Sequence, residues 1–116
     1  MRVSICGLNF RLTDALVRHV EDCVEAALGS ASGRIDQVTV RLDDINGPRG
    51  GRDKRCRIVL WLRRTGVMVA QAVHENLYVA VEQAAAKAKD MIRRHRTRRR
   101  SLHRTYAVRL DRRIRV

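Results

Sequence analysis

The sequence predicts an α+β domain in the order β-α-β-β-β-α, with four strands in one sheet and both helices packed on one face of it. Three observations predict this. Two long segments, Leu16 to Leu28 and Leu77 to His95, repeat apolar residues at helical spacing. Four short segments alternate apolar and polar residues, the period of a half-buried strand. The connection between the first two strands is long and holds a helix, whereas the last three strands are joined more closely. That pattern suits one parallel pair followed by an antiparallel meander.

Taken in order, Arg2 to Cys6 places Val3 and Ile5 on one face, and Gly7 is expected to stop the strand. Thr13 is a good N-cap for the first helix, and Asp14 suits the positive first turn. Leu16, Val17, Val20, Cys23, Val24, Ala27 and Leu28 form its buried stripe, and Gly29 is placed to end it. Its outer face, with Arg18, Glu21, Asp22 and Glu25, is mildly acidic and a poor nucleic-acid surface. Val38, Val40 and Leu42 mark a second strand. DDINGPRGGRD, with three Gly and the only Pro, is an exposed loop in which Asp43 and Asp44 read as turn residues. From Lys54, the strand KRCRIVLWLRR sets Cys56, Ile58, Leu60 and Leu62 against Arg55, Arg57, Val59, Trp61 and Arg63. Thr65-Gly66 turns the chain into a fourth strand, Val67 to Val73. The second helix follows from His74, burying Leu77, Val81, Ala84, Ala88, Met91 and His95.

The chain of 116 residues is long enough for one domain and carries a net charge of +13. Residues 1–53 hold seven Arg against eight Asp and Glu, a net of −1. Residues 54–116 hold eighteen Lys and Arg against four acids, a net of +14. Such self-repulsion opposes compaction, so a polyanionic partner is expected, nucleic acid before an anionic membrane. Apolar runs are too short to span a bilayer, and the N-terminus shows no secretory signal, so the chain is expected to stay in the cytoplasm. Cys6, Cys23 and Cys56 are widely spaced with no CxxC pair, and are read as buried reduced thiols.

The dense charge lies on and beyond the second helix. Lys87, Lys89, Arg93, Arg94 and Arg96 fall mostly off its apolar stripe, and Arg98, Arg99 and Arg100 continue the run. One or two cations would complement the helix dipole. Six Arg between residues 93 and 100 exceed that need and point to RNA phosphates. Residues 1–96 are read as the folded domain, and 97–116 as an Arg-rich tail that orders on a partner. Trp61 is a residue type that stacks on bases, but one Trp, one Phe and two Tyr make no interleaved platform. Tyr78 is read as a packing residue. The loop from Asn46 to Gly51 lacks the Gly-Lys-Ser/Thr of a phosphate cradle. His19, His74, His95 and His103 have no ligand spacing, and no nucleophile is paired with a base. Neither metal, cofactor, small-molecule substrate nor catalysis is expected.

Three segments carry a resemblance: GLNFRLTDALVRHVED, the stretch with NGPRGGRDKRCRI, and HENLYVAVEQAAAKAKDMIRR. Together they resemble the ribosome hibernation-promoting factor family, also called ribosome-associated inhibitors, over roughly residues 2–96. The resemblance implies a fold similar to double-stranded-RNA-binding domains. It also implies binding to the small ribosomal subunit and its RNA over the messenger and transfer RNA sites, silencing translation in stress or stationary phase. By position, the family's helix cations carry over to Lys87, Lys89, Arg93 and Arg94, and its strand cations to Lys54, Arg55 and Arg57. Asn76 stands where the family usually has Asp, and still permits capping. The residues after Arg96 are too few for the dimerisation domain of long members, so a short-type member, monomeric off the ribosome, is expected. The alternative is a general RNA-binding protein of the same fold without ribosome specificity.

Overall fold

The structure is a computed structural model that describes residues 1–8, 11–45 and 54–109, with side chains of the last helix described through residue 95. The loop 46–51, the side chains of Arg96, Arg98, Arg99 and Arg100, and the chain beyond residue 109 lie outside the described residues.

The expected order is the observed one. Strand β1 (Arg2–Leu8) leads to helix α1 (Asp14–Leu28) and a 3-10 helix (Gly29–Arg34). Strands β2 (Ile35–Asp44), β3 (Lys54–Leu62) and β4 (Gly66–His74) follow, and then helix α2 (Leu77–Arg109). The strands lie side by side in the order β1-β2-β3-β4. β1 runs parallel to β2, and the other two pairings are antiparallel.

α1 starts where Thr13 leaves the helix region, and its hydroxyl accepts the Leu16 N–H at 3.1 Å. Leu16, Val20, Val24 and Leu28 recur at four-residue spacing and are all buried. Gly29 closes the helix without turning left-handed, so the backbone stays right-handed and tightens into the 3-10 helix. β1 does not stop at Gly7: that residue pairs with Leu42, and Leu8 pairs with Asp43. A glycine weakens a strand by only a fraction of a kcal/mol when its neighbours hold the ladder. β2 begins before Val38, with a register shift between Ile35 and Gln37. This bulge lets both Ile35 and Val38 face the core, an alternation a simple period of two does not reveal.

The core lies between the sheet and both helices. Val38, Val40 and Leu42 of β2 join Cys56, Ile58, Leu60 and Leu62 of β3 in one cluster with the buried stripes of α1 and α2. α2 buries Ala80, Val81, Ala84, Ala85, Ala88 and Ile92, and β4 offers Ala70 and Ala72. Small residues on both sides let α2 lie close to the sheet. Met91 and His95, expected in the stripe, are only half-buried, while Ala80, Ala85 and Ile92 complete it. α2 is capped by Asn76, whose Oδ1 accepts the Tyr78 N–H at 2.9 Å, as the sequence allows. Its backbone is helical past residue 96 to Arg109, which suits its composition, because Arg is a good helix former. Cys56 is buried and Cys23 partly so, but Cys6 is exposed on the open face of the sheet rather than buried.

Candidate nucleic-acid interface

The face of the sheet away from the helices is uncovered, and its residues form rows across the strands. Asp43 and Arg55 are partners in one row, followed by Val73. The next row holds Cys6, Arg41, Arg57 and Gln71. Beyond it come Val59 with Val69, and Trp61 with Val67. Arg41, Arg55 and Arg57 thus occupy one end of the open face, and Val59, Val69, Trp61 and Val67 the other, where Arg2 shares the Trp61 row through Gln37. Trp61 is exposed, but four residues of extended strand, about 13 Å, separate it from Arg57.

The seven described cations singled out from the sequence do not form one uniform patch. Arg55 makes a two-pronged pair with Asp43, at 3.1 Å from Nε and 2.6 Å from a terminal nitrogen. That pair raises the affinity of Arg55 for its proton. Lys54 Nζ lies 3.3 Å from Asp44 Oδ2. Asp43 and Asp44 therefore act as ion-pair partners at the end of β2 rather than as turn residues. On α2, Asp90 accepts from Arg93 at 2.6 Å and lies 3.4 Å from Arg94. These helix pairs are exposed and contribute at most about 1 kcal/mol each, so phosphate groups compete well for the same guanidinium groups.

Helical spacing sorts the α2 cations into two lines. At about 100° per residue, Lys87 and Arg94 lie on one line, Lys89 and Arg93 on another, and Lys87 and Lys89 are about 200° apart. Lys87 faces β4, where its ammonium donates to the Gln71 carbonyl at 3.0 Å. The Gln71 side chain accepts from Arg57 Nε at 3.1 Å. A continuous chain, Arg57–Gln71–Lys87, therefore carries cationic character around the edge of β4, from the open sheet face to the helix. Gln71 is the residue that sequence reasoning missed: nothing in an isolated Gln marks it, and only the β3–β4 register places it opposite Arg57. The Lys89 and Arg93 line lies toward α1. There His19 contacts the Tyr78 carbonyl at 3.2 Å and Glu82 at 3.4 Å, and its ring meets the Tyr78 ring edge-on at 4.9 Å. Tyr78, expected to pack, stays exposed apart from this edge contact with His19.

Among the described residues, no group of three or more His, Cys, Asp or Glu side chains converges as a metal site. Among the same residues, no helix is long and apolar enough to cross a membrane.

Fold and surface together define a class: a small α+β domain that carries its cations on one sheet face, around one edge and along its last helix. The chain belongs to the Sigma 54 modulation protein / S30EA ribosomal protein family, whose model matches residues 3–100. This is the family to which the sequence resemblance points, and its description is of ribosomal proteins, not of a reaction. The chain is 28% identical over 104 residues to the chloroplastic ribosome-binding factor PSRP1 of Spinacia oleracea, covering 82% of this chain and 34% of that protein. The chain thus spans about a third of that curated relative's length. In fold it matches a ribosomal subunit interface protein from Coxiella burnetii, with a TM-score of 0.73 and 14% identity. That match covers 84% of this chain and 99% of the other. It also matches the N-terminal domain of Protein Y from Thermus thermophilus, with a TM-score of 0.64 and 21% identity over 82% and 99% of the two chains.

Proposed function

We propose that this protein is a ribosome hibernation factor that docks on the RNA of the small ribosomal subunit, in the channel used by messenger and transfer RNA, and silences translation under stress. The observation that carries the reading is the hydrogen-bonded route from Arg57 through the neutral Gln71 to Lys87 and on to the cations of α2, in a chain of this family. Arg55, Arg57, Lys54, Lys87, Lys89, Arg93 and Arg94 contact phosphates in this reading. Arg96, Arg98, Arg99 and Arg100 extend the same role along the helix. In this reading residues 1–96 form the packed domain, in which α2 buries residues as far as Ile92 among its described side chains, and residues 97–116 form a cationic extension. Binding fills space: it needs neither cofactor nor small-molecule substrate, and the protein acts as a monomer in the cytoplasm. The family name, the ribosome-binding relative and the interface-protein fold all support association with ribosomes.

The test is a sucrose-gradient profile of ribosomal particles with and without the protein. Wild-type protein is expected with the small subunit. The variant combining Arg93→Glu and Arg94→Glu is expected at the top of the gradient with its circular dichroism unchanged, since both residues are exposed. Retained cosedimentation of that variant would show that the wrong face has been chosen. Equal affinity for bare RNA and for ribosomal particles would favour a general RNA-binding protein instead.

A further inference from the structure

We propose that the end of the sheet opposite the Lys54–Asp44 pair carries a phosphate-binding cleft, formed by Arg34, Arg63, Arg64 and Thr65, which anchors one phosphodiester of the bound RNA. The proposal rests on the RNA-binding reading above and extends it to residues outside both the basic strand and the basic helix.

The cleft has a volume of about 250 Å³ and is lined by Gly33, Arg34, Leu62, Arg63, Arg64 and Thr65. It lies where the 3-10 helix meets the β3–β4 turn, and the Arg63 N–H donates to the Arg34 carbonyl at 2.9 Å to join the two walls. Arg34 is half-buried, with one terminal nitrogen 3.4 Å from His95 Nδ1. That contact places the cleft beside α2, about one turn past the buried Ile92. An RNA strand following the helix cations therefore passes the cleft mouth. Arg63 is bonded through Nε to Asp36 at 3.3 Å, and its side chain stays well exposed. Three arginines and a threonine thus line one small space, with Asp36 bonded to Arg63 beside it. Guanidinium forks match phosphate oxygens, and a threonine hydroxyl adds a neutral donor.

The backbone supplies a second, independent observation. Arg64 has φ +68°, the sole positive φ on a non-glycine among the described residues. A tight turn with a left-handed position favours Gly or Asn, and Gly66 two residues on already provides one such position at φ +100°. The conformation sets Arg64 in the wall of the cleft. Strain held by the surrounding structure is a feature of ligand sites.

Arg64→Gly removes the guanidinium and the left-handed arginine together, so it separates binding from stability. The variant is expected to melt at the same temperature or higher, yet to bind ribosomal particles more weakly. Its log–log salt slope is expected to be shallower by about 0.7–0.9, the change for one lost phosphate contact. Gly33→Glu adds a carboxylate at a position where a new side chain meets no atom within 4 Å of its first carbon. It is expected to weaken binding further with its melting curve unchanged. Unchanged affinity and slope in both variants overturn the cleft, and if the double Glu variant of α2 has lost binding, the helix reading stands without it. If wild-type protein itself fails to cosediment, the RNA reading falls and the cleft with it. Inorganic phosphate and a mononucleotide are titrated against isotope-labelled wild-type protein in parallel. Sub-millimolar binding at the Thr65 amide, with an unchanged ribosome slope in both variants, also overturns the RNA anchor, in favour of a free-anion site.

Discussion

Cys6 and Cys56 lie on opposite faces of one sheet and are expected to answer chemistry differently. Burial pushes the Cys56 thiol up to about 12 from 9.0, with smaller contributions from Cys23 and Asp43. The folded protein therefore holds that proton after the unfolded chain has lost it. The stabilisation is fully present below about pH 9 and is lost as pH rises toward 12, at about 1.4 kcal/mol per unit. Cys23 is shifted in the same direction, first by burial and then by Glu82 and Asp22. Urea midpoints between pH 8.5 and 10.5 are expected to fall more steeply for wild type than for Cys56→Ala. Parallel curves would show that this thiol is not linked to folding. In the native state a thiol reagent is expected to modify Cys6 rapidly and Cys56 only on unfolding. Period-two alternation in β3 makes the burial of Cys56 legible in the sequence. The exposure of Cys6 is not legible, because a cysteine carries the same apolar signal on a covered face as on an open one.

At the scale of the element, α2 presents Arg93 and Arg94 already paired. Asp90 holds Arg93 and Arg94 in exposed bridges, so a phosphate must displace or share that carboxylate. Asp90→Asn is expected to tighten ribosome binding several-fold and to steepen its salt dependence, with little change in thermal stability, since such surface pairs contribute roughly 0–1 kcal/mol. A weaker-binding Asn variant would mean that Asp90 orients the two arginines instead of competing for them. The two amphipathic helices are legible because their apolar spacing persists over several turns, and both caps, Thr13 and Asn76, stand where the sequence places them. The Asp90 pairs are legible too, at spacings of three and four on a helix. The pairs of Asp43 with Arg55 and Asp44 with Lys54 are not, because they depend on the register of two strands across the loop. The bulge near Ile35 is hidden for a like reason: one inserted residue leaves no mark on composition.

For the whole molecule, the excess of +14 in residues 54–116 is expected to set the strength of binding more than any single contact does. With about six phosphates neutralised at ~0.7–0.9 each, the log–log salt slope of ribosome binding is expected near −4 to −5. A slope shallower than about −2, measured by cosedimentation between 50 and 300 mM salt, would contradict an electrostatic mode. Net charge and its lopsided placement are read directly from the chain, and with them the expectation of a polyanionic partner. The arrangement of that charge is not. The cleft of Arg34, Arg63 and Arg64 joins residues thirty positions apart, and the Arg57–Gln71–Lys87 route passes through a neutral side chain.

The bond from Lys87 to the Gln71 carbonyl also bears on how copies of this chain meet each other. β4 is the last strand of the sheet, and unpaired carbonyls on such an edge invite another strand to add on. Lys87 occupies one of those acceptors and sets a positive charge beside the rest. An ammonium has three donors, and this bond uses one. The same side chain thus discourages edge-to-edge fibril growth in the free protein and keeps two N–H groups for an anion. The same charge that suits a polyanionic partner would keep a concentrated store of idle molecules dispersed.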